Sequence, residues 1–195
     1  LWHPKKKNDA NHYTASKDAG GFMGVLIDWI SQPPTPCDLL LVAMPGVGDV
    51  GKLAIDAVNA ELDAEPIARI LHPALPPLAK LDEDGLLAPP HILLSRVIVD
   101  GREVYTLTGD AQPMTPEGQH ELAVSVLELC EGGEVLVLAG MSAQAERKEV
   151  FTITSSSSYR IELESMGVDV RRDEPKAGVI GMAALITAIG PIKNV

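Results

Sequence analysis

The stretch Met44-Pro-Gly-Val-Gly-Asp-Val-Gly-Lys-Leu-Ala-Ile-Asp-Ala-Val58 constrains the fold more than any other part of the chain. It follows the unbroken apolar run Leu39-Leu40-Leu41-Val42-Ala43, which reads as a strand buried on both faces of a parallel sheet. Beyond the glycines, Val50, Leu53, Ala54, Ala57, Val58 and Leu62 recur at helical spacing, with Lys52, Asp56, Asn59 and Asp63 on the opposite side. That spacing predicts an amphipathic helix whose apolar stripe packs on the sheet. Pro66-Ile67-Ala68-Arg69-Ile70-Leu71 then supplies a second strand, so the segment reads as a βαβ unit.

The bend between strand and helix satisfies two phosphate-binding patterns at once. Gly46, Gly48 and Gly51 spell GxGxxG, and Gly46 through Lys52 spell the GxxxxGK of a P-loop. Pro45, Gly46, Gly48, Asp49, Gly51 and Lys52 are therefore candidate binding residues. Both fingerprints are incomplete. Leu53 stands where the P-loop needs a magnesium-binding hydroxyl, and the second strand ends Leu71-His72-Pro73 with no acid for a ribose. Asp49 falls at the helix N-cap, where its carboxylate is expected to accept from the N–H of Gly51 or Lys52 and fill the place an anion would take. The glycines then serve close helix–strand packing.

The rest of the chain continues in α/β style. Leu78–Leu81 and Leu86–Ala88 form a short hairpin around Asp82-Glu83-Asp84-Gly85, a solvated turn. Ile92–Val99 and Arg102–Leu107 form a longer one across the two-residue turn Asp100-Gly101. Thr115-Pro116-Glu117 opens a helix carrying Leu122, Val126 and Leu129, which Gly132-Gly133 stops. Glu134–Ala139 reads as another buried strand, Phe151–Thr154 as a shorter one, Ser157–Met166 as a helix ended by Gly167, and Val168–Val170 as a strand stub. The apolar stretch 177–192 reads as a closing helix, too short at 16 residues for a membrane span. The expected fold is a three-layer α/β/α sandwich with a mixed, mostly parallel sheet and added antiparallel hairpins.

Residues 1–36 differ from the remainder, with four of the seven aromatics (Trp2, Tyr13, Phe22, Trp29), the run Lys5-Lys6-Lys7 and a closing Pro33-Pro34-Thr35-Pro36. They read as a peripheral arm and Pro-rich linker, leaving 37–195 as the core domain. The formal net charge of −11 argues against a grip on nucleic acid or anionic lipid. Cys37 and Cys130 have no metal-ligand or CxxC spacing and read as buried thiols of a reducing compartment. No signal peptide is visible, so the expected location is the cytoplasm.

Three further places carry polar side chains of interest. Gly109, Asp110 and Gln112 follow a strand directly, at a sheet edge where α/β proteins place ligands; the alternative is that Asp110 caps the turn after Gly109. Gly140-Met-Ser142-Ala-Gln144 half-resembles a nucleophile elbow, with Gln144 where the last glycine belongs. His72, His91 and His120 have no serine or acid partner evident in the sequence. No HExxH, EF-hand or Cys/His cluster is present, so no metal is expected.

PGVGDVGKLAIDAV, the acidic-Pro-Ile-Ala-Arg-Ile strand, Leu75-Pro76-Pro77, the Asp84-Gly85 turn and TGDAQPMTPEGQ, taken in order over residues 38 to 140, resemble the proteasome assembly chaperone family, especially its archaeal and actinobacterial members. The resemblance implies an α/β/α sandwich that self-associates and binds proteins, in eukaryotes the α-subunits of the proteasome ring, with no cofactor and no catalytic residues. Relatives that dock into ring pockets end hydrophobic-Tyr-any, and this sequence reads Ile192-Lys193-Asn194-Val195 there. The rival expectation is a nucleotide- or nucleoside-handling, ligase-like enzyme that uses the glycine bend for phosphate and Asp110 and Gln112 for a base or sugar.

Overall fold

A computed structural model describes residues 13–15, 24–33, 36–81, 84–142 and 148–195. Nine strands and four α-helices follow one another along these residues: β1 (Tyr13–Ala15), β2 (Leu26–Trp29), β3 (Leu39–Ala43), α1 (Val50–Glu61), β4 (Glu65–Leu71), β5 (Lys80–Leu81), β6 (Leu87–Ala88), β7 (Ile92–Val99), β8 (Arg102–Gly109), α2 (Pro116–Leu129), β9 (Glu134–Val137), α3 (Ser157–Ser165) and α4 (Gly181–Ile189). Seven strands form one sheet in the order β1-β2-β4-β7-β8-β3-β9, and β5 and β6 pair separately.

The sheet is mixed. β3 runs parallel to both β8 and β9, while β7 is antiparallel to β4 and β8, and β2 to β1 and β4. All strands of this sheet except β2 and β7 therefore point the same way. The βαβ expectation needs correction here. β4 does run in the direction of β3, but β7 and β8 lie between them. The eight-residue strands of that hairpin pair along their full length across Asp100 and Gly101, both left-handed at φ 49 and 77, and so claim the place beside β3.

Residues 24–33 do not stand off as an arm. β2 pairs with β4 from Leu26↔Leu71 to Trp29↔Ala68, and Val25, Ile27 and Trp29 pack against the main core. The compositional boundary at residue 36 is thus not the boundary of the sheet, because an open strand edge on β4 was available for pairing. Trp2, the lysine run and Phe22 lie outside the described residues. β9 also differs from expectation: it is a half-buried edge strand, since among the described residues only β3 flanks it. Phe151–Thr154 makes a single bridge, Thr152 to Val170, and no strand.

Alternation along the strands separates two unlike faces. Leu40, Val42, Tyr105, Leu107, Leu94 and Ile92 point to one, where they meet Leu122, Ala123, Val126 and Leu127 of α2 and Met182 and Ile186 of α4. The other face carries Thr106, Thr108 and Ser95, all buried, and α1 covers it. Layers of helix, sheet and helix result.

α1 packs the opposite way round from its periodicity. Gly51 and Ile55 are its buried residues, and Asn59 Oδ1 accepts from buried Thr106 Oγ1 at 2.7 Å. Val50, Leu53, Ala54 and Ala57 of the predicted inner stripe face solvent. The sheet beneath brings the buried Thr106 hydroxyl and a closely approaching backbone under α1, beside Ala43 and Val104, and these contacts set which side of the helix faces inward. Cys37 and Cys130 are buried free thiols, with Cys130 Sγ donating to the Cys37 carbonyl at 3.0 Å.

Candidate functional site

The bend after β3 is closed by its own atoms. A single 3-10 turn, Val47–Asp49, precedes α1, and Gly48 (φ 61) and Asp49 (φ 49) both take left-handed backbone there. Asp49 N–H donates to Gly46 O at 3.1 Å, and Gly46 N–H donates back to Asp49 Oδ1 at 3.1 Å. This corrects the expected cap. Asp49 is the N-cap of α1 but its carboxylate accepts no hydrogen bond from the helix. The left-handed Asp49 backbone turns the side chain toward Gly46 instead of forward to Gly51 or Lys52.

Gly51 answers a different need. A Cβ there would lie 2.1 Å from Leu138 O, on the chain leaving β9, so the first turn of α1 is in backbone-to-backbone contact with residues 138–139. Gly140 repeats the arrangement, with a would-be Cβ 2.1 Å from Val47 O. Lys52 turns along its own helix to Asp56, Nζ to Oδ2 2.6 Å, rather than over the bend. Pro45 contributes only its carbonyl.

That carbonyl accepts from Gln112 Nε2 at 2.6 Å, while Gln112 Oε1 accepts from the N–H of Met182 in the first turn of α4 at 3.1 Å. One side chain therefore ties three segments together where β3 and β8 end: the glycine bend, the loop after β8 and the start of α4. Gly181, at φ 75, brings its Cα close enough that a Cβ would sit 2.9 Å from Gln112 Oε1. Gly109 is packed against Ile92. Asp110, paired with Gln112 in the sequence reading, turns the other way and meets Lys80 Nζ of the β5–β6 hairpin at 2.6 Å. The hydrogen bond from Lys80, ahead of the attraction of Lys80, Lys52 and His91, holds its carboxyl below the ordinary range.

Of the histidines, His72 gains an acidic partner from a distant element. His72 Nδ1 accepts from Ala74 N–H at 3.0 Å, which leaves the proton on Nε2, 2.9 Å from Glu121 Oε2 on α2. His91 Nδ1 lies 2.8 Å from Pro89 O. Ser142 is exposed, and residues 143–147 of the elbow-like stretch lie outside the described residues. Lys80 and Glu121 were missed as site residues; nothing local marks them, since their partners lie 30 and 49 positions away.

A groove of about 290 Å³ opens beside this region, lined by Leu75, Leu78, Lys80, Pro90, His91 and Asp110. Its polar groups are already engaged with each other. Around the bend the arrangement likewise spends its donors and acceptors on joining segments, and among the described residues it brings no nucleophile beside a base. Chemically this is a braced surface, suited to contact. Among the described residues no group of three or more His, Cys, Asp or Glu is gathered as a metal would require.

A family model described as PAC2 family matches residues 40–194, nearly all of the chain from β3 onward. The chain belongs to the PAC2 family. An uncharacterized protein of Methanocaldococcus jannaschii is 23% identical over 164 residues, covering 80% of this chain, which spans only 62% of that relative. Pyrococcus furiosus PbaB, an archaeal proteasome activator, has a similar structure: TM-score 0.76 at 20% identity, over 88% of this chain and 77% of that one. P. furiosus PbaA, an archaeal homolog of proteasome-assembly chaperone, gives a TM-score of 0.67 at 23% identity, over 86% and 71%. These likenesses establish the α/β architecture read from the sequence, and the family match spans the glycine bend and Gln112 of this PAC2 chain.

Proposed function

We propose that this PAC2 chain is a non-enzymatic, self-associating protein-binding scaffold of the cytoplasm whose partners are proteasome subunits. The observation that carries the proposal is Gln112. The most prominent polar side chain between the two candidate loops is consumed in joining Pro45 to Met182, which makes a braced contact surface. Similarity in structure to an archaeal proteasome activator and to a homolog of proteasome-assembly chaperone supports the choice of partner. The nucleotide alternative loses its features one by one: Lys52 is paired with Asp56, and Gly51 is pressed on Leu138. Among the described residues no helix is long and apolar enough to cross a membrane.

Affinity capture of the tagged full chain from its own cells, followed by mass spectrometry, is expected to recover proteasome α-subunits or assembly intermediates. Recovery of neither removes the partner assignment. A nucleotide bound at 100 times its dissociation constant would stabilise the fold by about 2.7 kcal/mol, so a flat thermal-shift scan with ATP, GTP and NAD is the expected companion result.

A further inference from the structure

We infer that a second copy of this chain docks on the end of the sheet where β3, β4 and β8 finish, covering the outward stripe of α1 and the leucines of the β5–β6 hairpin. This inference rests on the self-association proposed above and adds to it the place and the residues.

Its starting point is apolar surface in the wrong place. Val50 and Leu53, which helical spacing groups as a core stripe would be grouped, are 58% and 61% exposed, and Val47 in the turn ahead of the helix is 51% exposed. Leu78, Leu81, Leu86 and Leu87, on and beside the hairpin, are 60% to 75% exposed. Monomeric proteins scatter single exposed leucines but seldom gather them. The two groups belong to one end of the molecule: Lys80 of the hairpin binds Asp110, and Gln112, two residues on, holds the Pro45 carbonyl at the start of the bend that leads into α1.

Area and charge choose the occupant. Such side chains each hide roughly 100 Å² when covered. The α1 stripe alone would supply roughly 300 Å², too little, whereas both groups reach roughly 700 Å², inside the range of about 600 to 1,000 Å² per partner of a stable complex. A chain of net charge −11 repels its own copies over most of its surface. At this end Lys52 is matched with Asp56 and Lys80 with Asp110, so the two lysines of the patch bring no unbalanced charge of their own. A twofold contact needs one patch that complements itself, and Ala54 and Ala57 beside Leu53 let two α1 helices approach closely.

The test is the mass of the full chain by light scattering during gel filtration, for the wild type and for Leu53→Glu, Leu87→Glu and Ile192→Glu. All three positions are exposed, so each variant is expected to keep the wild-type circular dichroism and melting behaviour. Ile192 follows α4 and lies at the opposite end from the Gln112 contact that starts that helix. The expected result is a wild-type dimer or larger assembly, weakened by more than about 30-fold in Leu53→Glu and Leu87→Glu and unchanged in Ile192→Glu. A wild type at subunit mass up to the highest concentration overturns self-association and this site together. An assembly that survives both leucine variants, or that only Ile192→Glu dissolves, overturns the site and leaves self-association standing. If the leucine variants keep the assembly but lose capture of proteasome α-subunits, the occupant is that partner and the second-copy assignment falls.

Discussion

α1 and α2 lie on opposite faces of one sheet and treat their apolar residues in opposite ways. α2 opens on the cap its sequence announces, Thr115 Oγ1 accepting from Gly118 N–H at 3.1 Å with Pro116 behind it, and buries Leu122, Ala123, Val126 and Leu127. α1 buries a glycine and an isoleucine and leaves Val50 and Leu53 outside. The difference comes from what each helix lies on. α2 meets Leu40, Val42 and Leu107, so burial of its stripe removes aliphatic surface from water. α1 meets a face where Thr106 and Thr108 alternate with the short side chains of Ala43 and Val104, and the backbone at Leu138 comes close, so close approach and the Asn59–Thr106 hydrogen bond decide its orientation. An amphipathic pattern tells that a helix has an apolar side; it does not tell whether that side faces inward or toward another molecule.

The largest effect should come from the α2 side. Leu122→Ala is expected to destabilise the fold by about 3 kcal/mol, within the 2–5 kcal/mol common for fully buried leucines, as measured by chemical denaturation. A loss below about 1 kcal/mol would mean that α2 packs no better than α1 and that the contrast is wrong.

On the α1 side the sensitive residue is a glycine. Gly51→Ala places a methyl 2.1 Å from Leu138 O, against backbone that has no rotamer to yield. Overpacking of this kind costs about 1–3 kcal/mol, although alanine is the better helix former by about 1 kcal/mol. A destabilisation of about 2 kcal/mol is expected, and a stabilised variant would show that helix and strand are not in contact. Asn59→Ala should follow at about 1–2 kcal/mol, because it strands the buried Thr106 hydroxyl; the double change with Thr106→Val is expected to recover most of that loss.

The same contrast explains what could be read in advance. Strands β3, β7 and β8, the Asp100-Gly101 turn and the Thr115 cap are local patterns, complete within a dozen residues, and the structure has them where the sequence places them. Strand order is not local. Nothing within Glu65–Leu71 states that β7 will pair with it in place of β3, or that Leu26–Trp29 will take its other edge. The site was half legible for the same reason. The bend and Gln112 stand out as residues, but the bond between Gln112 and Pro45 joins positions 67 apart, and the one to Met182 joins positions 70 apart. Asp49 shows the finer limit: its place at the N-cap was right, and a left-handed backbone sent its carboxylate back to Gly46.

The smallest expected effect is the most telling. Leu53→Ala should change the unfolding free energy of the separated subunit by less than about 0.5 kcal/mol, because exposed leucine has little transfer energy to lose and alanine favours the helix. Ile55, two residues on, is fully buried and should lose several times more on the same truncation, about 2 kcal/mol or above. Measured in dilute solution, where the unfolding midpoint no longer depends on protein concentration, this pair separates the two sides of one helix without reference to any partner. Equal losses at the two positions would mean that Leu53 is covered within the subunit, and the apolar stripe would then need no second molecule to account for it.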